Sequence, residues 1–263
     1  MANIDKTAVI SKKAKIDSDV EIGPFCVIGD DVEIGSGSCI KSHVVIQGNS
    51  KIGKNNIIFP FAAIGQVPQD LKFGGEKSFI EIGDNNKIRE HVTIHLGTKG
   101  DNLITKIGDN CLLMVASHVA HDCVVGDGVI LANNATLAGH VKLEDNVIVG
   151  GLAAIHQFVR VGRGAMIGGM SGVENDVMPY SLVMGERASL AGLNLIGLKR
   201  KGFSREQIAK LREFYRLVFE RSDKTFEARV KDAAVKFSGE DFMAEVINFL
   251  QQDSGRNICI PKK

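Results

Sequence analysis

The stretch Glu21-Ile-Gly-Pro-Phe-Cys-Val-Ile-Gly-Asp-Asp-Val-Glu-Ile34 places three isoleucines six residues apart. The same spacing runs through eleven consecutive isoleucines from Ile4 to Ile64. Four residues after nearly every one of them stands a small or β-branched residue, as Cys26 follows Ile22. A period of six matches neither the turn of an α-helix nor a simple hairpin, but it suits a short strand followed by a corner.

Each repeat is therefore expected to form one strand and one corner, with the aliphatic and the small residue both pointing inward. Three repeats close a triangular coil of about 18 residues, and successive coils pair their backbones about 4.8 Å apart. The sequence thus predicts an all-β solenoid, a triangular parallel β-helix built from hexapeptide repeats. The general rule for parallel crossovers favours a right-handed coil, and the spacing alone does not overturn it.

The repeat is interrupted twice. Its aliphatic series pauses near residues 66–81, resumes, and pauses again near 96–106 before it runs on to Val173. We expect both pauses to be loop insertions into one solenoid that spans residues 1–189. Pro68 is typical of a loop, and an insertion into an otherwise regular repeat favours a functional loop over a merely solvated one.

Residues 190–263 change to a helical spacing. Ser204 and Gln207 form a capping box ahead of an apolar stripe that recurs every three to four residues. Two further amphipathic stretches begin near Thr225 and Phe242. We therefore predict a small α-helical C-terminal domain whose aromatic residues mostly serve its core.

The composition of the 263 residues excludes several classes of protein. Lys and Arg number 32 against 31 Asp and Glu, so no net field favours nucleic acid or an anionic membrane. No apolar run approaches the roughly 18 residues of a membrane-spanning helix, and residues 1–15 lack the apolar core of a secretory signal. The sequence predicts a cytoplasmic protein without stable membrane insertion.

Three of the five cysteines fit the repeat. Cys26, Cys111 and Cys123 occupy its small inward position, where a thiol acts as a small hydrophobic group. Thiols of a cytoplasmic protein stay reduced, and the spacing matches neither a metal site nor a redox motif. Cys39 and Cys259 receive no role from the sequence.

Histidines collect in the second half of the repeat, and the predicted circuit converts their numbers into positions. One circuit after His121 comes Gly139, and one circuit after Asp122 comes His140. The file of imidazoles expected along this edge consists of His118, His121, His140 and His156. A lone histidine at an edge is usually a surface residue, whereas a file over three coils favours a site.

Acyl transfer is the chemistry that this file suits best. A sugar hydroxyl is a poor nucleophile near neutral pH, and an imidazole can take its proton while a thioester is attacked. His121 is the candidate base, and Asp122 or a neighbouring carbonyl is expected to fix its tautomer. Gly139 has no side chain, so its backbone N–H can approach the developing oxyanion.

A zinc site is the alternative chemistry for clustered imidazoles. The hexapeptide family includes carbonic anhydrases with a three-histidine site shared between subunits. Their paired ligand histidines lie five residues apart, whereas His118 and His121 lie three apart. The sequence offers no further ligand cluster, so we predict neither a metal nor another cofactor.

Several longer segments match one family closely. They are Ile22-Gly-Pro-Phe-Cys26, Ile40-Lys-Ser-His-Val44, Gln69-Asp-Leu-Lys72, His118-Val-Ala-His-Asp-Cys123, Leu131-Ala-Asn-Asn-Ala-Thr-Leu-Ala-Gly-His140, His156-Gln-Phe158 and Gly197-Leu-Lys-Arg-Lys-Gly-Phe-Ser-Arg205. With these segments the chain resembles the UDP-N-acetylglucosamine O-acyltransferases of bacterial lipid A biosynthesis. The resemblance covers nearly the whole chain, and it implies a left-handed coil.

The resemblance implies transfer of an (R)-3-hydroxyacyl chain from acyl carrier protein to the 3-hydroxyl of UDP-N-acetylglucosamine. The donor is the carrier's phosphopantetheine thioester, and the family's homotrimer implies further copies of this chain as partners. By position, His121 is the general base, Asp122 its partner and Gly139 the oxyanion donor. The family's sugar and nucleotide contacts correspond to Gln69, Asp70, Lys72, His95, His118, His140, His156, Gln157 and Asn194.

Other positions refine this implied site. Arg200 and Lys201 correspond to contacts with phosphate or the phosphopantetheine arm, and Gly169 falls where the family sets acyl length. Without a side chain at Gly169, the groove should admit a longer chain. Ile196 stands where Glu is typical near the uridine, and Lys201 stands where Arg is common, which removes a bidentate fork.

A basic run follows these positions and has two readings. It consists of Lys199, Arg200, Lys201, Arg205, Lys210, Arg212 and Arg216. One reading is the solvated surface of a helix, and the other is a docking site for an acidic carrier protein.

Two other functions stay open at this point. One is N-acylation of a UDP-amino sugar or of a later lipid A intermediate. The enzyme of that later step carries an extra N-terminal domain, for which a repeat that begins at Ile4 leaves no room. The other is a non-catalytic β-helix that binds or scaffolds, which accounts neither for the insertion near 66–81 nor for the histidine file.

Overall fold

The structure is a computed structural model that describes residues 2–220, 222–252 and 254–262. In these residues the repeats form short strands that stack into three sheets, the sides of a triangular prism. The chain visits sheet A, then sheet B, then sheet C in every coil. The turns between them run along three edges, which we name AB, BC and CA.

Stacking of the coils makes each sheet a column of strands. Sheet A contains Asn3–Ile4 (β1), Glu21–Ile22 (β4), Cys39–Ile40 (β7), Ile57–Ile58 (β10), Lys87–Ile88 (β13), Leu112–Leu113 (β16), Ile130–Leu131 (β19), Ile148–Val149 (β22), Met166–Ile167 (β25), Ser181–Met184 (β27) and Ser189–Leu193 (β28). Sheet B contains Val9–Ile10 (β2), Val27–Ile28 (β5), Val45–Ile46 (β8), Ala63–Gln66 (β11), Thr93–His95 (β14), His118–Val119 (β17), Thr136–Leu137 (β20), Ala154–Ile155 (β23) and Gly172–Val173 (β26). Sheet C contains Lys15–Ile16 (β3), Val32–Ile34 (β6), Asn49–Ile52 (β9), Phe79–Ile82 (β12), Ile104–Ile107 (β15), Val124–Val125 (β18), Lys142–Leu143 (β21) and Arg160–Val161 (β24).

The register of the strands confirms the predicted circuit and the parallel β-helix. His118 pairs with Thr136, and Thr136 pairs with Ala154, so neighbouring coils are offset by 18 residues. Backbone N–H groups donate to the carbonyls of the next coil, as Ala138 N donates to Ile155 O at 3.0 Å. The pair of β27 and β28, by contrast, is antiparallel.

Inside the prism, aliphatic side chains stack in columns. Ile58, Ile88 and Leu113 lie above one another in sheet A and are fully buried. The three cysteines predicted to point inward are each at most 2% exposed. Burial raises the pKa of the Cys123 thiol to about 12, so this thiol behaves as packing material rather than as a nucleophile.

The corners differ in the residues that adopt positive φ. At edge CA these include Asn55, Asn85, Asn110 and Asn146, and Asn tolerates the left-handed region well. At edge AB they include Phe25, His43, Phe61 and His91, whose ring centroids follow one another at 5.0 to 5.1 Å. At edge BC they include Asp122, His140 and Phe158. Among the positive-φ residues that the structure describes, Asp122 is the one with a charged side chain, and it is buried, so edge BC stands out as a place for function.

The outward side chains give the sheets different surfaces. Sheet C is charged, with Lys15 paired to Glu33 at 2.5 Å and Lys106 paired to Glu81 at 3.4 Å. Sheet B presents Val9, Val27, Val45, Ala63, Thr93, His118, Thr136, Ala154 and Gly172, with no Lys, Arg, Asp or Glu among them. From β16 onward, sheet A presents Leu112, Ile130, Ile148, Met166 and Leu182. Sheet B and the part of sheet A from β16 onward are therefore uncharged at these positions, whereas sheet C is charged.

The C-terminal part contains the predicted helices and one more. Its helices are Leu195–Arg200 (α1), Arg205–Phe219 (α2), Phe226–Lys236 (α3) and Asp241–Gln251 (α4). The capping box of Ser204 and Gln207 opens α2, and Thr225 caps α3, as the sequence predicts. The short α1 has no amphipathic repeat, so the pattern does not reveal it. No helix in the described parts of the chain has both the length and the apolarity to cross a bilayer.

The strand bounds give the extent of both predicted insertions. The insertions comprise residues 67–78 and 96–103 and are shorter than expected, because β12 and β15 begin ahead of their last isoleucine and pair with each other. Both insertions leave from edge BC. The expected domain boundary between residues 189 and 190 falls inside β28, since the repeat fades before sheet A ends.

The segment of residues 254–262 returns from α4 to the prism and covers its last coil. Asp176 N donates to Asn257 O at 2.8 Å, and Cys259 N donates to Asp176 O at 2.7 Å. Cys259 is 3% exposed and belongs to the core of the solenoid, a role that its sequence context does not suggest. Cys39 lies at an outward position of sheet A.

A core substitution tests the packing of the solenoid. Leu131 is completely buried, so Leu131→Ala should lower the free energy of unfolding by about 2–5 kcal/mol through lost contacts and a residual cavity. Urea titration followed by circular dichroism measures the change. The control is Lys51→Ala on the charged side of the prism, which should leave the midpoint nearly unchanged. Equal midpoints for both variants would contradict the assignment of Leu131 to the core.

Candidate active site

The turn between β17 and β18 brings His121 and Asp122 to edge BC. Asp122 adopts φ 59, which directs its backbone into the left-handed region, and it is 2% exposed. Its Oδ2 lies 2.9 Å from His121 Nδ1. A carboxylate can only accept here, so Nδ1 carries the proton and the lone pair of Nε2 is free to act as a base.

The second insertion holds the Asp122 carboxylate. Thr98 donates its backbone N–H to Oδ1 at 2.8 Å and its hydroxyl to Oδ2 at 2.6 Å. Burial alone would raise the pKa of Asp122, but hydrogen bonds from His121 and Thr98 outweigh it and hold that pKa below its ordinary value. Asp122 therefore stays ionised beside the imidazole.

Gly139 lies against the His121 ring, as the circuit predicts. A Cβ at this position would come within 2.4 Å of His121 Cε1 and 2.5 Å of Nε2. A side chain here would displace the imidazole, so only glycine fits at this position beside His121. Within the described residues the Gly139 N–H has no hydrogen-bond acceptor. A potential base and an unpaired backbone donor thus stand side by side.

His140 occupies the same edge one circuit above Asp122. Its ring stacks on Phe158 with centroids 4.3 Å apart and meets the His121 ring edge-on at 5.0 Å. Its Nδ1 lies 3.4 Å from Asp101 Oδ2, an acceptor supplied by the second insertion. Stacking and this contact fix the orientation of the imidazole beside the His121 ring.

Two further histidines lie on sheet B next to this edge. His118 Nδ1 lies 2.7 Å from the hydroxyl of Thr93, and the His118 and His95 rings meet edge-on at 4.8 Å. His95 is 5% exposed, and burial together with the nearby His118 and His121 lowers its pKa to about 4. The pKa of His118 is also lowered, first by burial and then by His121. Both imidazoles are therefore neutral near pH 7.

His156 and Gln157 lie exposed at edge BC one circuit beyond Gly139, on the expected side of the prism. The loop residues Gln69, Asp70 and Lys72 also leave from this edge, in the first insertion. Asp70 Oδ1 accepts the Lys72 N–H at 3.0 Å, which closes a local turn. The Gln69 and Lys72 side chains are exposed, and Asp70 is half-buried.

The remaining predicted residues lie at other edges of the same chain. Gly169 is in a turn at edge AB, where an added Cβ would lie 3.2 Å from Gly151 O. Asn194 caps α1 and donates its amide to Gly164 O at 3.0 Å, which places it at edge CA. Lys201 lies near the same Gly164, and burial followed by the charge of Arg163 lowers its pKa. Arg200 is exposed at the end of α1.

Comparison with known proteins assigns the chain to a family. A family model described as Udp N-acetylglucosamine O-acyltransferase, Domain 2, matches residues 176–259. Another, described as bacterial transferase hexapeptide (six repeats), matches residues 13–48 and 104–139. An acyl-[acyl-carrier-protein]--UDP-N-acetylglucosamine O-acyltransferase of Thermodesulfovibrio yellowstonii is 49% identical over 262 residues, which covers 98% of this chain and 100% of the relative. The chain belongs to the UDP-N-acetylglucosamine O-acyltransferase family.

Solved structures of UDP-N-acetylglucosamine O-acyltransferases agree with this assignment. LpxA from Acinetobacter baumannii is 45% identical, with a TM-score of 0.93 and coverage of 98% of this chain and 99% of that chain. The UDP-N-acetylglucosamine acyltransferase of Francisella novicida is 38% identical, with a TM-score of 0.94 and coverage of 97% and 93%. The β-helix with C-terminal helices predicted from the repeat is thus the fold of the family.

In this member of the family, His121, Asp122 and His140 each offer one atom within 4.8 Å of the others, which is a spacing that a metal ion can bridge. The two Asp122 oxygens, however, already accept from Thr98 and His121. Coordination by Asp122 would have to replace charge-assisted hydrogen bonds that are in place. The donor set therefore fits a hydrogen-bonded acid–base relay better than a zinc site, and the absence of a metal stays a prediction.

The sequence did not point to Thr93, Thr98 or Asp101, which contact His118, Asp122 and His140. The two insertions lengthen the circuits that contain these residues, so counting by 18 does not align them with the histidines. Knowing that an insertion leaves from edge BC would have placed residues 96–103 beside the file.

The neutral state of His95 predicts a pH dependence of stability. In the unfolded chain the imidazole has an ordinary pKa of roughly 6.5, so between about pH 6.5 and 4 the unfolded state binds more protons and stability falls as the pH is lowered. His95→Gln does not titrate and should lose part of this dependence. Melting temperatures at pH 7 and pH 5 measure it, with His43→Gln at exposed edge AB as the control. An unchanged slope in His95→Gln would contradict the burial of a neutral His95.

Proposed function

We propose that this chain transfers an (R)-3-hydroxyacyl group from acyl carrier protein to the 3-hydroxyl of UDP-N-acetylglucosamine, the first step of lipid A biosynthesis. Membership of the family and the names of its relatives support the reaction. The observation that carries the proposal is the contact of the His121 ring with Gly139, a base beside an unpaired backbone N–H.

The proton moves through His121. With Nδ1–H held by Asp122, Nε2 takes the proton of the sugar hydroxyl as its oxygen attacks the thioester carbonyl. Asp122 stabilises the imidazolium that forms, because its carboxylate is ionised and buried beside the ring. The Gly139 N–H donates a hydrogen bond to the oxyanion that develops on the thioester carbonyl. Collapse of the intermediate expels the thiolate, which receives the proton from His121, and the site returns to its starting state.

The donor brings the reactive group, so the proposed reaction uses no cofactor beyond the phosphopantetheine thioester. His118, His140, His156 and Gln157 surround the proposed nucleophile and are assigned to the sugar nucleotide. Gly169 is assigned to the end of the acyl groove, where the space left by glycine favours a longer chain. The names of the relatives favour a hydroxyl acceptor over the amine acceptor of the N-acyl alternative.

Assembly as a homotrimer is part of the proposal, and the surface of the prism supports it. A closed ring of three needs two different surfaces on each subunit, and these two surfaces must be complementary to each other. Sheet B and the apolar part of sheet A from β16 onward are two such surfaces, and they meet along edge AB. Outward residues such as Ile130 and Ile148 are only half buried in one chain, and a contiguous apolar side of this kind usually contacts a partner.

The distribution of the proposed site residues also supports a trimer. His121 and the loop of Gln69 lie at edge BC, whereas Asn194 and Lys201 lie at edge CA of the same chain. Packing of sheet B against sheet A of a neighbour would bring one chain's edge BC towards the other chain's edge CA. Leu71, at the tip of the first insertion, is fully exposed and is available for such a contact.

A cytoplasmic location is inferred from the chemistry. The proposed donor is an acyl carrier protein, and all cysteines that the structure describes are free thiols, as expected in a reducing compartment.

Purified protein, UDP-N-acetylglucosamine and a panel of 3-hydroxyacyl carrier proteins test the reaction directly. Wild type should form the 3-O-acyl product with the longer chains preferred. His121→Ala should lower kcat on the order of 10²-fold or more, because a general base is lost while binding contacts remain. The control is Lys51→Ala, an exposed residue of β9, which is three strands away from β18 along sheet C. Near-normal kcat in His121→Ala would refute the assigned base.

The carrier protein is proposed to dock on α2. Arg212 and Arg216 lie one turn apart, are exposed, and line a groove together with Leu193 and Tyr215. Lys210, which belongs to the same basic run, is instead engaged by Glu240 at 2.5 Å and by Glu206 at 3.3 Å. The docking surface is therefore narrower than the basic run in the sequence.

Charge reversal tests this docking surface. The double variant Arg212→Glu, Arg216→Glu should raise the KM for acyl carrier protein at least several-fold, because an attraction becomes a repulsion. The KM for UDP-N-acetylglucosamine should not change. Lys231→Glu on α3 is the matched control for charge. Equal carrier KM values in the double variant and the wild type would remove α2 from the docking surface.

A further inference from the structure

The segment of residues 254–262 reaches edge BC and contacts the histidine file. Arg256 Nη2 lies 2.9 Å from His156 Nδ1 and 2.9 Å from the carbonyl oxygen of Gln157. The guanidinium thus contacts two consecutive residues in the turn that follows β23. Nothing in the repeat or in the helical pattern draws attention to Arg256, which lies about 100 residues away in the chain.

The backbone around Arg256 is fixed to the prism on both sides. Ser254 Oγ donates to Asp176 Oδ2 at 2.6 Å, and Asn257 O accepts from Asp176 N at 2.8 Å. Asp176 is completely buried and also accepts from the Arg160 side chain at 2.7 Å. These hydrogen bonds hold the segment against the prism, because losing one of them would leave part of a buried charge without a partner. The backbone that carries the Arg256 side chain is therefore fixed relative to the prism.

The chemistry of guanidinium decides the state of the imidazole. Arg has donors and no acceptor, and it remains charged at every pH at which proteins are studied. His156 Nδ1 must therefore accept from Arg256, and the neutral ring carries its proton on Nε2. The opposite tautomer would aim an N–H at the guanidinium and would leave Gln157 O, at the longer distance of 3.3 Å, as its acceptor.

We propose that Arg256 is a positioning residue for His156: it holds the imidazole as the Nε2–H tautomer, so that this N–H can donate to an oxygen of the bound sugar nucleotide. This inference rests on the proposed function, in which His156 contacts the acceptor substrate. Arg256 itself acts from the far side of the ring. Its effect should appear in acceptor binding rather than in the chemical step.

The test compares Arg256→Met with the matched control Lys262→Met, which removes a charge from the same segment. Arg256→Met should raise the KM for UDP-N-acetylglucosamine about fivefold to tenfold, the effect of losing one hydrogen bond of ordinary strength, with kcat changed less than the KM. Long-range proton–nitrogen spectra of protein labelled at histidine nitrogen should show His156 losing its pure Nε2–H pattern. The His156 signal is assigned by its absence from His156→Gln.

A double-mutant cycle separates positioning from a general structural role. In a His156→Gln background, Arg256→Met should raise the KM by less than about twofold, because its effect passes through the missing imidazole. An undiminished effect in that background, or unchanged His156 spectra in Arg256→Met, would overturn the inference. A wild-type protein without transferase activity would defeat the proposed function instead. The spectra would then still support or overturn the tautomer assigned to His156.

Discussion

Hydrogen bonding between the backbones of successive coils is the constraint on which this structure depends. It requires every circuit to have the same length, because the N–H of one coil must find the carbonyl of the next, as Ala138 finds Ile155. The inward isoleucines and small residues serve that constraint by filling a core of constant width. Extra residues are tolerated only where they leave the prism as a loop, and both insertions do so at edge BC.

The candidate site follows from this regularity and from the places where it is broken. Regular stacking brings Gly139 against His121 and His140 above Asp122, over a sequence distance of one coil. The second insertion then supplies Thr98, which clamps the Asp122 carboxylate. The stacked coils thus position His121, and a loop holds the carboxylate that contacts it.

The repeat made the fold and the nucleus of the site predictable because both depend on counting. Ile58, Leu113 and the inward cysteines lie where a period of six puts them, and the neighbours of His121 follow from a period of 18. Counting fails for Thr98 and Asp101, because insertions change the length of their circuits. It also fails for Arg256, which reaches His156 only through the tertiary path of α4. The short α1 could not be predicted for another reason: the Asn194 side chain caps its start, and the helix has no apolar stripe.

The segment that covers the last coil has a consequence for self-association. A stack of parallel coils ends in a row of unpaired backbone groups, which would accept a further coil from any molecule that offered one. Here Asp176, Asn257 and Cys259 pair those groups within the chain, and the buried Cys259 side chain plugs the core at the same point. This pairing within the chain opposes fibre-like growth at this end of the solenoid.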